Sequence, residues 1–133
     1  MAGELNLQDY RSLADFRFEL RRFLHFSEGA AKAAGLSPQQ HQALLAIRAG
    51  APEGMLVGEL AERLMLRPHS MSELVDRLEA RGLVHRRHED GDKRRVHIVP
   101  TDHARDILAA LSADHRAELR RLKPLLQRLL DAL

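Results

Sequence analysis

The chain contains no cysteine, which excludes a disulfide framework, a thiolate metal site and a cysteine-based redox sensor. It also lacks a Gly-x-Ser-x-Gly nucleophile elbow, a glycine-rich phosphate-binding loop and a carboxylate cluster of the kind that builds an active site. No run of about 18 apolar residues exists to cross a bilayer, and residues 1–6 lack the basic start and apolar core of a secretory signal. We therefore expect a cytoplasmic protein without membrane association, enzymatic activity or a cofactor.

The charge is nearly balanced over the whole chain but positive in one segment. The 133 residues are one domain's length, and they carry 21 basic and 19 acidic side chains, a formal net charge of +2. Between Arg81 and His97, six residues are basic and three are acidic, and three histidines add to the capacity for positive charge. A surface that attracts nucleic acid is therefore expected in this segment, although a solvated charged hairpin would have the same composition.

Apolar residues recur at spacings of three and four over most of the chain, which predicts a mainly α-helical protein. Serine followed by proline at residues 37–38 is typical of a helix start, and Gly35 and Gly82 are typical of positions just after a helix end. Pro124 is expected to kink or divide the last helix. The predicted helices cover residues 7–34, a segment from Pro38, residues 57–65, a segment from Pro68 to Gly82, and residues 102–133.

Helical spacing is interrupted between residues 83 and 100. Two short segments flank the tip at residues 89–92, where Gly91 between aspartates is a turn signal. Helix, turn, helix and two-stranded ribbon thus follow one another from residue 57, an order that places one helix in the major groove of DNA and a basic loop beside it. We predict a mainly α fold with a small β-hairpin wing. It forms a single domain over residues 1–133, in which residues 38–100 are a winged helix-turn-helix DNA-binding region.

The N-terminal residues of the fourth helix are candidates for contacts with base edges. The hydroxyls of Ser70 and Ser72 can donate to or accept from bases and phosphates, whereas Met71 either contacts a thymine methyl or belongs to the core. Phosphate repels an exposed Glu73, so this residue either accepts from a cytosine amino group or lies at the rim of the groove. For Arg77 we expect a pair with Glu73, one turn earlier, rather than a base contact. The candidate DNA-binding residues are Arg67, His69, Ser70, Met71 and Ser72 on this helix, and Arg86, Lys93, Arg94 and Arg95 on the wing.

A leucine stripe in the last helix predicts a partner for that helix. Its members repeat at spacings of three and four: Leu119, Leu122, Leu126, Leu129 and Leu133. The stripe packs either on the first helix of the same chain or against a second copy. Because residues 38–99 already provide a core for the winged unit, we expect the helices over 7–34 and 102–133 to form a twofold homodimer. Its recognition helices would lie one turn of DNA apart, about 34–36 Å, on a pseudo-palindromic site.

These features together resemble the MarR family of dimeric winged helix-turn-helix transcriptional regulators of bacteria and archaea. The residues that carry the resemblance are Glu59–Ala61, Ser72–Glu79, Arg81–Val84, Arg86, Asp92–Arg94, Val96 and Thr101. The resemblance implies that Arg94 is the wing arginine that reaches the minor groove or its phosphates, and that Asp92 holds it in place. Pro100 and Ala104 stand where the family usually has leucine and glycine. The resemblance therefore does not decide where the second strand ends or how the chain turns into the fifth helix.

The resemblance also implies that small aromatic or phenolic anions, held between the dimerisation helices and the winged unit, tune the affinity for DNA. His25 and His41 are candidate ligand-binding residues in that space. Four apolar residues could border it, although their ordinary role is in the core: Phe16, Leu20, Phe23 and Phe26. We expect a repressor, because a dimer on a promoter blocks polymerase without needing an activating surface.

Two alternatives to a ligand-controlled DNA-binding protein stay open. In the first, the winged unit binds a partner protein and the wing is only a solvated hairpin. In the second, the protein is a zinc-responsive regulator, for which His85 and His88 are the nearest pair of histidines. Residues three apart on a strand point to opposite faces, so this pair is poorly placed to chelate a metal ion. We therefore expect no metal site.

Overall fold

The computed structural model describes residues 3–133, and it confirms a mainly α-helical fold with a small β wing. The predicted starts of the helices at residues 7, 38, 57, 68 and 102 all agree with the structure, and the ends of the first, third, fourth and fifth helices lie one or two residues earlier than predicted. In chain order the elements are α1 (Leu7–Ala33), α2 (Pro38–Ala49), β1 (Met55–Leu56), α3 (Val57–Leu64), α4 (Pro68–Ala80), β2 (Val84–Glu89), β3 (Asp92–Pro100) and α5 (Asp102–Asp131).

Side-chain caps explain why three of the helices begin where they do. The Ser37 hydroxyl accepts from the Gln40 N–H at 3.1 Å, and the Gln40 side chain accepts from the Ser37 N–H at 3.0 Å, a reciprocal capping box. Asn6 forms the same arrangement at the start of α1. The Thr101 hydroxyl accepts from the Ala104 N–H at 3.1 Å and donates to the Gly82 carbonyl at 2.8 Å, which ties the start of α5 to the end of α4.

The wing belongs to a three-stranded antiparallel sheet with the order β1-β3-β2, rather than to the predicted two-stranded ribbon. The additional strand, β1, has only two residues, too few to show any periodicity, and Met55 pairs with Ile98. Gly54 has a φ of +79°, and a Cβ there would lie 2.0 Å from the Ile98 carbonyl oxygen. Only glycine therefore lets the chain approach β3 closely enough for this pairing. At the other edge Val84 pairs with Pro100, so proline does not shorten β3.

The core lies among α2, α3, α4, the sheet and the first half of α5. Met71 on α4 has no exposed surface, so its assignment as a DNA contact was wrong. Helical spacing places it on the same face as Leu74, Val75 and Leu78, and the apolar environment outweighs its closeness to the helix start. Ala104 is also buried, and the turn into α5 is intact despite the absence of the usual glycine.

Pro124 was predicted to kink or divide the last helix; α5 runs without division from Asp102 to Asp131, so a division at Pro124 was wrong. Proline removes one backbone donor from the helix. Helix α1 packs along α5, and Leu122, two residues before Pro124, is buried. Other large apolar side chains of the two helices are exposed: Leu7, Tyr10, Leu13, Phe18, Leu20 and Leu24 on α1, and Leu119 and Leu130 on α5. Over residues 3–133 no helix combines the length and apolar character needed to cross a membrane.

Candidate nucleic-acid interface

The N-terminus of α4 presents polar groups and unpaired backbone donors to solvent. Arg67 is the N-cap residue and its side chain makes no capping bond, while Pro68 occupies the first turn. The first turn contains no acidic residue, so no carboxylate opposes the partial positive charge of the helix start. His69 and Ser70 are exposed here and Ser72 is half-buried. A helix start of this kind favours an anion such as phosphate.

Glu73 pairs with His69 rather than with Arg77, so the predicted Glu73–Arg77 pair was wrong. The Nε2 atom of His69 lies 3.2 Å from a Glu73 carboxylate oxygen, one turn apart on α4. Both side chains are mainly exposed, at 87% and 56%.

Arg94 extends into solvent at the wing. Its side chain is 95% exposed. The Asp92 carboxylate accepts from the Arg94 backbone N–H at 2.9 Å, and the Arg94 Nε atom lies 3.8 Å from the same oxygen. Asp92 therefore contacts Arg94 as the family resemblance implied. Arg95 instead donates to Glu89 at 2.6 Å across the tip of the hairpin. The side chain of Lys93, also a candidate, lies outside the described residues.

Arg86 does not extend from the wing toward solvent as expected but turns back onto α4. Its Nη2 atom lies 2.5 Å from an Asp76 oxygen and its Nη1 atom 2.8 Å from a Glu79 oxygen. The Arg86 backbone N–H donates to Glu79 at 3.3 Å, and the side chain is only 27% exposed. Burial alone lowers the pKa of Arg86, but the hydrogen bonds and negative charges of Asp76 and Glu79 outweigh it and raise that pKa. Arg86 is therefore bound by two carboxylates of α4, and its predicted contact with phosphate stays a prediction.

The two histidines proposed to bind a ligand together are in different surroundings. His25 is exposed on α1 and borders a cavity of about 400 Å³, whose apolar lining comes from Phe18, Phe23, Phe26 and Leu122. His41 is buried on α2, and its ring centroid lies 4.9 Å from that of His115 on α5. Burial, and secondarily the charge of His115, lower the pKa of His41. Sequence reasoning missed His115, because nothing in the local pattern of α5 distinguishes it from a surface histidine.

His115 connects the three helices that meet at this point. Its Nδ1 atom is 2.7 Å from the Leu111 carbonyl oxygen, so this nitrogen is the donor, and its Nε2 atom is 2.7 Å from the Ser27 hydroxyl. Among residues 3–133, this region included, no three histidine, aspartate or glutamate side chains are grouped to hold a metal ion.

The comparison with known proteins agrees with this geometry. Residues 34–95, from the end of α1 into β3, match the model of the MarR family. The HTH-type transcriptional regulator YcgE of Bacillus subtilis (strain 168) is 37% identical over 95 residues, which make up 68% of this chain and 60% of that protein. The chain belongs to the MarR family. It spans about 60% of the length of this curated relative.

Solved structures of MarR-family regulators share the fold. CouR from Rhodococcus jostii RHA1, in a structure bound to p-coumaroyl-CoA, is 26% identical with a TM-score of 0.70, and the match covers 90% of each chain. A Staphylococcus aureus MepR mutant bound to an oligodeoxyribonucleotide is 19% identical with a TM-score of 0.72, and the match covers 97% of this chain and 99% of that one. At this identity the MepR match establishes the fold alone.

Proposed function

We propose that this MarR-family protein is a transcriptional regulator that binds double-stranded DNA in a sequence-specific manner. The observation that carries the proposal is the pairing of an uncapped α4 N-terminus, with Arg67, His69 and Ser70 at its start, with a wing arginine, Arg94, that is 95% exposed. The helix start supplies donors for base edges and phosphates, and the wing supplies a cation beside it. The MepR mutant, which has the same fold, is bound to an oligodeoxyribonucleotide in its solved structure, and this supports DNA as the partner.

We further propose that two copies pair through α1 and α5. The two helices expose several leucines, among them Leu20 at 45%, Leu24 at 48% and Leu130 at 52%. Clustered apolar surface of this kind is characteristic of protein interfaces, and a twofold pairing would cover it. Residues 7–34 and 102–133 would then be the dimerisation helices and residues 38–100 the DNA-binding region. A twofold dimer would recognise a pseudo-palindromic operator.

We propose repression as the mode of action, with release by a small aromatic ligand. The cavity between α1 and α5 supports the ligand, because three phenylalanines line it and three arginines lie at its border. Two of these arginines are paired with Glu19 and Glu118, which also line the cavity, so the arginines are in excess by one. The related CouR structure holds p-coumaroyl-CoA. Addition of 4-hydroxybenzoate to a preformed protein–DNA complex should weaken binding if an aromatic anion enters the cavity. Unchanged affinity at millimolar concentration would count against an acid of this type.

Selection of bound sequences from a random duplex pool tests the central proposal. We expect enrichment of an inverted repeat whose half-sites are centred about one helical turn apart. Retention of the selected duplex should decrease steeply with salt, since phosphate contacts release counterions. A pool that stays random after several rounds at low salt would contradict specific DNA binding and favour a protein-interaction module. If enrichment occurs only with added zinc, the zinc-responsive alternative is favoured instead.

A further inference from the structure

Arg86 joins β2 to α4 through both its side chain and its backbone. The guanidinium binds two carboxylates, Asp76 at 2.5 Å and Glu79 at 2.8 Å, and the Arg86 N–H donates to the second Glu79 oxygen. The planar guanidinium fixes the directions of its N–H groups, so two simultaneous bonds restrain orientation more strongly than one ammonium contact would. Three polar links therefore connect the C-terminal half of α4 with the first half of β2.

These links act on the helix that carries the candidate base-reading residues. Met71, Leu74 and Leu78 hold one face of α4 in the core, which leaves the polar face to be restrained by surface contacts. Asp76 lies one helical turn after Ser72, on the same face of α4. The Arg86 contacts therefore restrain the side of α4 on which Ser72 lies, without occupying its N-terminus.

The charge of the network argues against a direct phosphate contact by Arg86. One guanidinium faces two carboxylates, so the three groups together carry a net charge of about −1 when all are ionised. Asp76 and Glu79 are 65% and 43% exposed, and Arg86 is 27% exposed. A phosphate approaching Arg86 would therefore meet the carboxylates as well, and they would repel it.

We propose that Arg86 is a positioning residue that fixes the orientation of α4 relative to the wing, and thereby the sequence preference of the protein. This inference rests on the proposed DNA-binding function. Arg86 acts through Asp76 and Glu79, so removal of the two carboxylates has the same consequence as removal of the guanidinium. A phosphate-binding arginine would behave in the opposite way, because loss of the carboxylates would free it for DNA.

Affinity measurements on the selected operator and a scrambled duplex, at several salt concentrations, test the inference. The variants are Arg86→Ala, Asp76→Asn/Glu79→Gln and the combination of all three changes. The control is Arg105→Ala, which breaks an ion pair within α5, since the Arg105 Nη1 atom lies 3.7 Å from an Asp102 carboxylate oxygen. Circular dichroism and thermal melts establish that each variant is folded at the assay temperature.

We expect Arg86→Ala and the double carboxylate variant each to lose about tenfold in operator affinity, a loss comparable to that caused by one mismatched base pair. Affinity for the scrambled duplex and the dependence on salt should stay the same, and the triple variant should lose no more than either parent. The control should match the wild type.

Two results would overturn the inference. If Arg86 contacts a phosphate directly, Arg86→Ala lowers the salt slope by about 0.9 for each arginine lost. The double carboxylate variant then binds DNA more tightly than the wild type. A purely structural role would lower the melting temperature while the ratio of operator to scrambled affinity stayed constant. Failure of the wild-type protein to select any DNA would instead overturn the proposed function, which keeps the two failures distinguishable.

Discussion

Removal of the Arg94 side chain should weaken DNA binding in a way that depends on salt. The side chain is 95% exposed, and its nearest carboxylate contact is 3.8 Å from Asp92, so it contributes little to folding. The backbone bond from Arg94 to Asp92 is kept in Arg94→Ala, and the turn should survive. The expected effect is therefore on DNA binding alone.

The magnitude follows from counterion release. A dimer presents two copies of Arg94, and each phosphate contact contributes about 0.9 to the slope of log affinity against log salt, so the slope should fall by about 1.8. If contacts other than ionic ones are unchanged, affinity should fall by about 60-fold at 0.1 M salt and by about 9-fold at 0.3 M salt. The loss should thus shrink as salt increases.

Fluorescence anisotropy with a labelled operator at four or five salt concentrations provides the measurement. Arg116→Ala, an exposed arginine on α5, is the matched control and should keep the wild-type slope. If Arg94→Ala lowers affinity by the same factor at every salt concentration, the side chain does not contact phosphate. An unchanged affinity at 0.1 M salt would remove Arg94 from the interface altogether.

Three further predictions follow from burial and exposure. Met71→Ala should destabilise the fold by about 2–5 kcal/mol in urea denaturation, because a fully buried side chain is removed; a loss well under 1 kcal/mol would contradict its burial. Burial holds the pKa of His41 below its ordinary value of 6.5, so the unfolded chain binds the proton more tightly: stability is kept above pH 6.5 and lost as pH falls below it. His41→Gln should reduce the pH dependence of the melting temperature between pH 8 and 5, whereas His103→Gln, at an exposed position, should not. Equal curves for the wild type and both variants would refute the lowered pKa of His41. Finally, the exposure of Leu20 and Leu24 leads us to expect that replacing both with aspartate gives a monomer in sedimentation velocity, whereas an intact dimer would place the interface elsewhere.

Much of the architecture could be predicted because local signals and tertiary packing agree. The Ser37–Pro38 start of α2 and the Thr101 cap of α5 are local signals, and both formed as expected. By contrast, β1 could not be found, because a two-residue strand has no period and depends on the close approach at Gly54. Helix α5 also continues through Pro124, although a proline inside a helix is locally unfavourable, so the local sequence pointed the other way.

The candidate site was less predictable than the fold. Charge and sequence position placed Arg86 with the wing arginines, but its direction is decided by Asp76 and Glu79, which lie on another element. The spacing of these two acids, three residues apart on one helix, was the available signal. The same limit applies to His41, since its neighbour His115 is 74 positions away in the chain, and no local pattern links the two.

The uninterrupted α5 has a mechanical consequence. At 1.5 Å per residue, its 30 residues make a rod of about 45 Å, with the wing attached at one end through Thr101. Rotation of this rod by three degrees about its C-terminal end would displace Thr101 by about 2.4 Å, most of the 3.4 Å between successive nucleotides along one strand. A rotation of α5 that is too small to alter any helix would therefore move the attached wing by most of the spacing between successive nucleotides of the duplex.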